Sequence, residues 1–198
     1  MAGPELPTAH GEAYPPREDT LLLLTFASVP AGTRFLEVGA GSGLAALAAA
    51  RCGARVVATD LNPHALLRLG ARARAEGLDV SPVRTDLAHG LGRFDRILSN
   101  PPYLPTRPDE RDPDPWQNLA LDGGPDGCRV LARLLEDLDQ HLLPDGNAFV
   151  VVSSRQDPGA LERVRHRWTS RGGTVETADS RALEGERLEV WRLRLGAR

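Results

Sequence analysis

The 198-residue chain is predicted to fold as an α/β domain, a doubly wound Rossmann-like sheet of seven strands whose last strand runs antiparallel. Three observations carry this. Strand-length apolar runs alternate with helix-period segments through the first five strands, the pattern of a mostly parallel sheet covered on both faces. The first strand, TRFLEV, leads directly into the glycine cluster GAGSG. The sixth and seventh strands are separated only by SRALEGE, which allows a reversal but no crossover helix.

The elements follow in order. Residues 1–16 are rich in Pro and Gly and read as irregular, and residues 17–198 as one domain. REDTLLLLTFASVP reads as a helix capped by Asp19 or Thr20. After the glycine cluster, Leu44 to Arg51 is an Ala/Leu-rich helix and ARVVATD the second strand. Asn62 is a natural cap for a helix beginning at Pro63 and running to about Ala75. VSPVRTD is a third strand that tolerates Pro82 best at an edge. RFDRILSN is the fourth strand, and a proline-rich loop runs from Pro101 to about Asn118. Leu131, Leu134, Leu135 and Leu138 recur at helical spacing between Gly127 and Leu143. NAFVVVSS is a strand, Pro158 to Ser170 a helix, and GTVETAD and RLEVWRLRL the closing strands.

Composition narrows the functional classes. A hydrophobic fraction of 41% supports a real core, and with only 5% aromatics Leu, Val and Ala must fill it. The net charge of -3 gives no general pull toward nucleic acid or an anionic membrane. Cys52 and Cys128 lack metal-ligand spacing and read as free thiols in a reducing compartment, and no metal is called for. The opening residues lack the charged and apolar regions of a signal peptide, and no apolar run approaches the ~20 residues that cross a bilayer. A cytoplasmic protein without membrane partners is expected.

The candidate site lies at the carboxyl ends of the strands, where doubly wound sheets bind ligands. Gly39, Gly41 and Gly43 let the backbone turn sharply and approach a ligand. Asp60 ends the second strand, where a carboxylate accepts hydrogen bonds from both hydroxyls of a ribose. These features suit NAD as well as S-adenosylmethionine. Two further residues favour the latter. Glu37, two residues before Gly39, suits a cationic ligand and is a poor neighbour for a pyrophosphate, although it could instead hold a water or a loop amide. Asp86 ends the third strand, where it can accept from an adenine amino group.

SNPPY closes the fourth strand. The Asn100 side-chain oxygen accepts hydrogen bonds, and Pro101 and Pro102 have no N–H, so their carbonyls are the remaining backbone polar groups. The prolines fix the turn, and Tyr103 adds a flat face for stacking. Acceptors held toward an NH₂ group suit methylation of a planar nitrogen. They orient its lone pair and stabilise the positive charge that grows as the bond forms.

Together EVGAGSG, ATD, SNPPY, ALDGGPDG and the opening YPPREDTLLL resemble the protein-(glutamine-N5) methyltransferases that modify peptide-chain release factors, from about Tyr14 onward. The likeness is to the short form, without the helical amino-terminal domain of the longer bacterial enzymes. It implies the methyltransferase variant of the doubly wound fold and S-adenosylmethionine as cofactor. It places Gly39, Gly41 and Gly43 at the methionine part, Glu37 near its amino group, Asp60 at the ribose and Asp86 at the adenine. Asn100 and the Pro101 carbonyl would hold the glutamine amide beside Tyr103, with Glu18 and Thr20 closing over the cofactor or substrate.

The NPPY motif is shared with adenine-N6 and guanine-N2 nucleic-acid methyltransferases, so it identifies the nitrogen and not the polymer. A binding module that keeps the fold without activity is a further alternative. The acidic segment from Thr106 to Trp116 favours a protein substrate, whereas Arg163, Arg165, Arg167 and Arg171 form the main feature favouring nucleic acid. The short eukaryotic and archaeal enzymes work with a small zinc-binding activator that pairs with a sheet edge. Here that edge is the third strand, and Pro82 argues for a monomer active without an obligatory activator.

Overall fold

The computed structural model describes residues 16–196. Nearly all of the segment expected to be irregular therefore lies outside the described residues. Strands β1 (Arg34–Val38), β2 (Arg55–Asp60), β3 (Val80–Arg84), β4 (Phe94–Ser99), β5 (Leu142–Ser153), β6 (Thr174–Leu183) and β7 (Glu186–Arg194) form one sheet in the order β3-β2-β1-β4-β5-β7-β6. Strands β1 to β5 are parallel, and β7 lies antiparallel between β5 and β6. The expected reversal is present but tighter than the seven-residue connector suggested. Strand β6 runs on to Leu183, and Glu184 and Gly185 alone make the turn, with Gly185 at φ 68°.

Strand alternation sorts the core into two layers. Phe35, Leu98, Phe149 and Val151 face α1 (Glu18–Leu24), α2 (Leu44–Arg51) and α3 (Pro63–Glu76). Leu36, Val38, Ile97, Val150 and Val152 face α5 (Arg129–His141) and α6 (Pro158–Ser170). The leucines singled out at helical spacing on α5 are all buried there.

Helix α1 is shorter than its sequence suggested. It spans 7 residues, Arg17 occupies its N-cap position but its side chain does not cap the helix, and Asp19 is buried rather than capping. So short a helix is marginal alone. It is held by buried Leu22 and Leu23, by Phe26 stacked on Phe149 at 4.3 Å, and by Arg96, whose guanidinium donates to the Phe26 carbonyl at 2.9 Å.

The segment 101–118 is not the uniform loop its prolines suggested. It contains a 3-10 turn, Pro108–Glu110, and leads into α4, Pro115–Leu121. Asp114 caps α4 by accepting from the Trp116 N–H, and Pro115 occupies the first helical position. On α6, Arg167 pairs with Glu136, and Arg171 at its C-cap donates to the Leu135 and Glu136 carbonyls in the middle of α5.

Strand β3 is the edge, as its proline required. The Val56 N–H donates to the Asp79 carbonyl, so odd-numbered residues of this stretch face β2. Val80, Pro82 and Arg84 therefore face away. The Val80 N–H turns back to the Leu78 carbonyl, and Pro82 has none to offer.

Gly43 opens α2 at φ 69°, and an added Cβ there would lie 2.5 Å from Cδ1 of buried Leu69. Gly43→Ala combines left-handed strain with that overlap and is expected to cost about 1–3 kcal/mol in urea unfolding. Unchanged stability would show that Leu69 yields freely.

Candidate active site

A cavity of about 380 Å³ opens at the carboxyl ends of β1, β2 and β4. It spans the point where β1 neighbours β2 on one side and β4 on the other, the switch point of a doubly wound sheet.

The glycine turn supplies its floor. Gly39 has φ 71°, and nothing lies within 4 Å of a Cβ built there, so the turn leaves open space beside its backbone. Gly41 has φ 49° and its N–H donates to Asp60 Oδ2 at 2.8 Å. Both line the cavity. Gly43 does not; it is buried where α2 packs on Leu69, so the third glycine serves packing.

Asp60 bridges two loops. Its Oδ2 takes the Gly41 amide and its Oδ1 the Asn62 amide, each at 2.8 Å. Burial pushes its carboxyl above the ordinary range, against the pull of these amides. Each oxygen keeps a lone pair for a further donor such as a ribose hydroxyl. Glu37 is 7% exposed, and its Oε2 accepts from the Ala46 N–H in the first turn of α2 at 2.8 Å. The loop-amide alternative is thus realised, while the residue also lines the cavity. Burial raises its carboxyl to about 8, opposed by the Ala46 amide and helped by the nearby Asp60 charge.

Asp86 lines the far end, with Oδ2 in an ion pair to Arg133 of α5 at 2.5 Å. The next residue, Leu87, is the one non-glycine position with positive φ among the described residues, at 52°. Such strain gathers at ligand sites.

The turn after β4 forms the opposite wall. Asn100 lines the cavity, and its Oδ1 is shielded from solvent without a donor partner. Pro101, Pro102 and Tyr103 line it as well. The Tyr103 hydroxyl donates to Oδ2 of Asp19 at 3.2 Å, which ties the turn to α1. From behind, Gly127 packs so closely on the Tyr103 carbonyl that a Cβ would overlap it. Buried Gln156 holds Gly127 in place by donating to its carbonyl at 2.8 Å. Glu18 and Thr20 of α1 also line the cavity, and the Thr20 hydroxyl bonds to Asp19.

The residues predicted from sequence therefore meet in one cavity, Gly43 excepted. Asp19, Trp116 and Arg133 also line it and were not singled out for the site. Asp19 was legible only as a helix cap. Trp116 offered one signal: a large aromatic in a polar, proline-rich stretch needs somewhere to bury itself.

These groups fit S-adenosylmethionine. The space beside Gly39 admits its methionine part, Glu37 suits a cationic group, Asp60 suits the ribose and Asp86 the adenine amino group. That cofactor supplies an electrophilic methyl group on a sulfonium, and Asn100 lines the opposite wall of the same cavity.

Comparison with known proteins agrees. The family model described as "Methyltransferase small domain" matches residues 18–113. A Methanocaldococcus jannaschii protein described as "Putative protein N5-glutamine methyltransferase" is 39% identical over 147 residues, covering 73% of this chain and 74% of that one. The release factor glutamine methyltransferase of Deinococcus radiodurans is 38% identical over 172 residues, covering 80% of this chain and 60% of that one. Among solved structures, the E. cuniculi Mtq2-Trm112 complex, responsible for methylation of the translation termination factor eRF1, superposes with a TM-score of 0.71 at 24% identity, covering 93% of this chain and 99% of that one.

Fold, cavity and comparisons define an S-adenosylmethionine-dependent N-methyltransferase. Within that class, the chain belongs to the protein-glutamine N5-methyltransferase family.

The raised Glu37 carboxyl gives the cofactor site a pH dependence. Below about 8 the ligand-free protein carries a proton on Glu37, and a cationic ligand favours its loss. Affinity for S-adenosylmethionine is expected to rise between pH 6 and 7.5, by up to about tenfold per unit, with proton release visible as buffer-dependent heat in calorimetry. Glu37→Gln removes the dependence. The same raised value makes the ligand-free fold lose stability as pH rises from 4.5 toward 8, because the unfolded chain gives up that proton first. A flat affinity profile in the wild type would place the proton elsewhere.

Proposed function

We propose that the protein methylates the side-chain amide of a glutamine in a peptide-chain release factor. The observation that carries this reading is the buried, unpartnered Oδ1 of Asn100 on the wall of the cofactor cavity. A glutamine amide brings two N–H donors. Asn100 Oδ1 accepts one and the Pro101 carbonyl the other, which turns the nitrogen lone pair toward the methyl position. As the nitrogen gains its new bond it turns positive, and the same two acceptors stabilise that charge until one proton leaves for water. The prolines hold both acceptors in place beforehand, so little ordering remains to be done on binding.

The release-factor assignment follows the relatives. A protein rather than a nucleic acid is favoured by the segment that follows the NPPY turn, where exposed Asp109, Glu110 and Asp112 oppose phosphate binding. On α6, Arg167 and Arg171 are engaged with α5, which leaves a reduced basic patch at Arg163 and Arg165. No helix among the described residues is long and apolar enough to cross a membrane. The outward groups of β3 support a monomer that works without an activator on that edge, since Pro82 and the turned-back Val80 cannot donate to an added strand.

Asn100→Ala is expected to leave cofactor affinity nearly intact and to cut turnover about a hundredfold or more, the ~3 kcal/mol of one lost transition-state contact. Wild-type turnover per folded molecule in that variant would make Asn100 a turn residue only. Radiolabelled methyl transfer into lysate from a strain lacking the enzyme, divided between protease and nuclease, tests the polymer; nuclease-sensitive label overturns the protein reading. Expressed alone, the protein is expected to scatter light as a monomer and bind cofactor. Aggregation relieved by a small co-purifying partner would make the β3 edge an interface.

A further inference from the structure

The segment after Tyr103 directs most of its polar groups inward on itself. Glu110 accepts from the Arg107 N–H at 2.8 Å, Asp112 from the Asp114 N–H at 2.7 Å and Asp114 from the Trp116 N–H at 2.9 Å. Asn118 closes the segment by donating to the Asp112 carbonyl at 2.6 Å. Buried Asp122 anchors its end through Arg111 and Arg129. So firmly folded a loop fixes what it presents to the cavity.

Foremost among those groups is Trp116. It lines the cavity, is 6% exposed, and its indole Nε1–H is buried without an acceptor. A buried donor is costly to leave unmade, and native proteins leave few. The ring meets His64 edge-on, with centroids 6.1 Å apart and planes at 89°. His64 is the second residue of α3, four residues beyond Asp60. That contact sets Trp116 at the β2–α3 corner, on Asp60's side of the cavity.

Resting on the cofactor assignment, we propose that Trp116 is a cofactor-contacting residue, whose indole N–H donates to a ribose oxygen of bound S-adenosylmethionine while its ring covers that end of the cavity. The chemistry is complementary. Asp60 can only accept and takes the hydroxyl protons. The hydroxyl oxygens keep lone pairs, for which an indole N–H, donor only, is a fitting partner. The other tryptophans belong elsewhere: Trp168 and Trp191 pack in the layer under α5 and α6, with their indole N–H groups on the Thr174 carbonyl and Glu189. Trp116 is thus a built-in optical reporter of the cavity.

Trp116→Phe keeps an aromatic cover and removes the donor. Titration with S-adenosylhomocysteine is expected to show a dissociation constant about threefold to tenfold higher in the variant, with KM for the protein substrate unchanged. Wild-type tryptophan emission should change on saturation, and that response should vanish in the variant. Equal affinities, or an effect confined to KM for the protein substrate, would overturn the proposal and leave the cofactor assignment standing. Failure of the wild type to bind S-adenosylhomocysteine would overturn both. Should the variant melt early, wild-type emission decides: no change at saturation overturns the contact.

Discussion

Asp60 holds the site together. One carboxylate accepts from the glycine turn after β1 and from the residue that caps α3, so two loops from neighbouring strands share a single anion. A glycine turn has little conformational preference of its own, and without a fixed acceptor Gly41 would sample many states. Asp60 selects one of them, and Glu37 does the same for the start of α2 through the Ala46 amide. Both carboxyls pay in desolvation, which shows in their raised proton affinity. The cavity floor therefore consists of backbone held by buried acids, with oxygen lone pairs left for a ligand.

The opposite wall follows another logic. Asn100 to Tyr103 is held from outside, by Asp19 of α1 at the tyrosine hydroxyl and by Gly127 at the tyrosine carbonyl. The proline pair sets the local path, and these distant contacts set its position against β1. Helix α1 has few resources of its own, so the NPPY turn and the helix that covers it stabilise each other.

Much of this was legible in the sequence because it rests on local rules. Alternating periodicity pointed to a mostly parallel sheet through β5, and the short connector before β7 forced its direction. Pro82 placed β3 at an edge. Glu37, Asp60, Asp86 and Asn100 were legible because strand ends point them at one place. What escaped depends on distant partners. Gly43 looked like its neighbours Gly39 and Gly41, yet its constraint is Leu69, on another helix. Asp19 looked like a cap until Tyr103, 84 residues on, claimed it. The segment around Trp116 read as loop because prolines mask short helices, and its order comes from side-chain bonds to backbone that no periodicity records.

The place of β7 bears on how the molecule is made. It is the last strand of the sheet in chain order, yet it lies between β5 and β6. Until it is synthesised, β5 presents its bare hydrogen-bonding edge, with Val150, Val151 and Val152 along it, and β6 has no place in the sheet at all. The hairpin must therefore form and slot in together, a long-range step that follows the assembly of everything before it. On the ribosome, the nascent chain carries an aggregation-prone strand for as long as translation takes to deliver those residues. Leu183, Glu186 and Leu188 of that hairpin also line the cavity, so a released chain acquires its complete pocket only with this closing event.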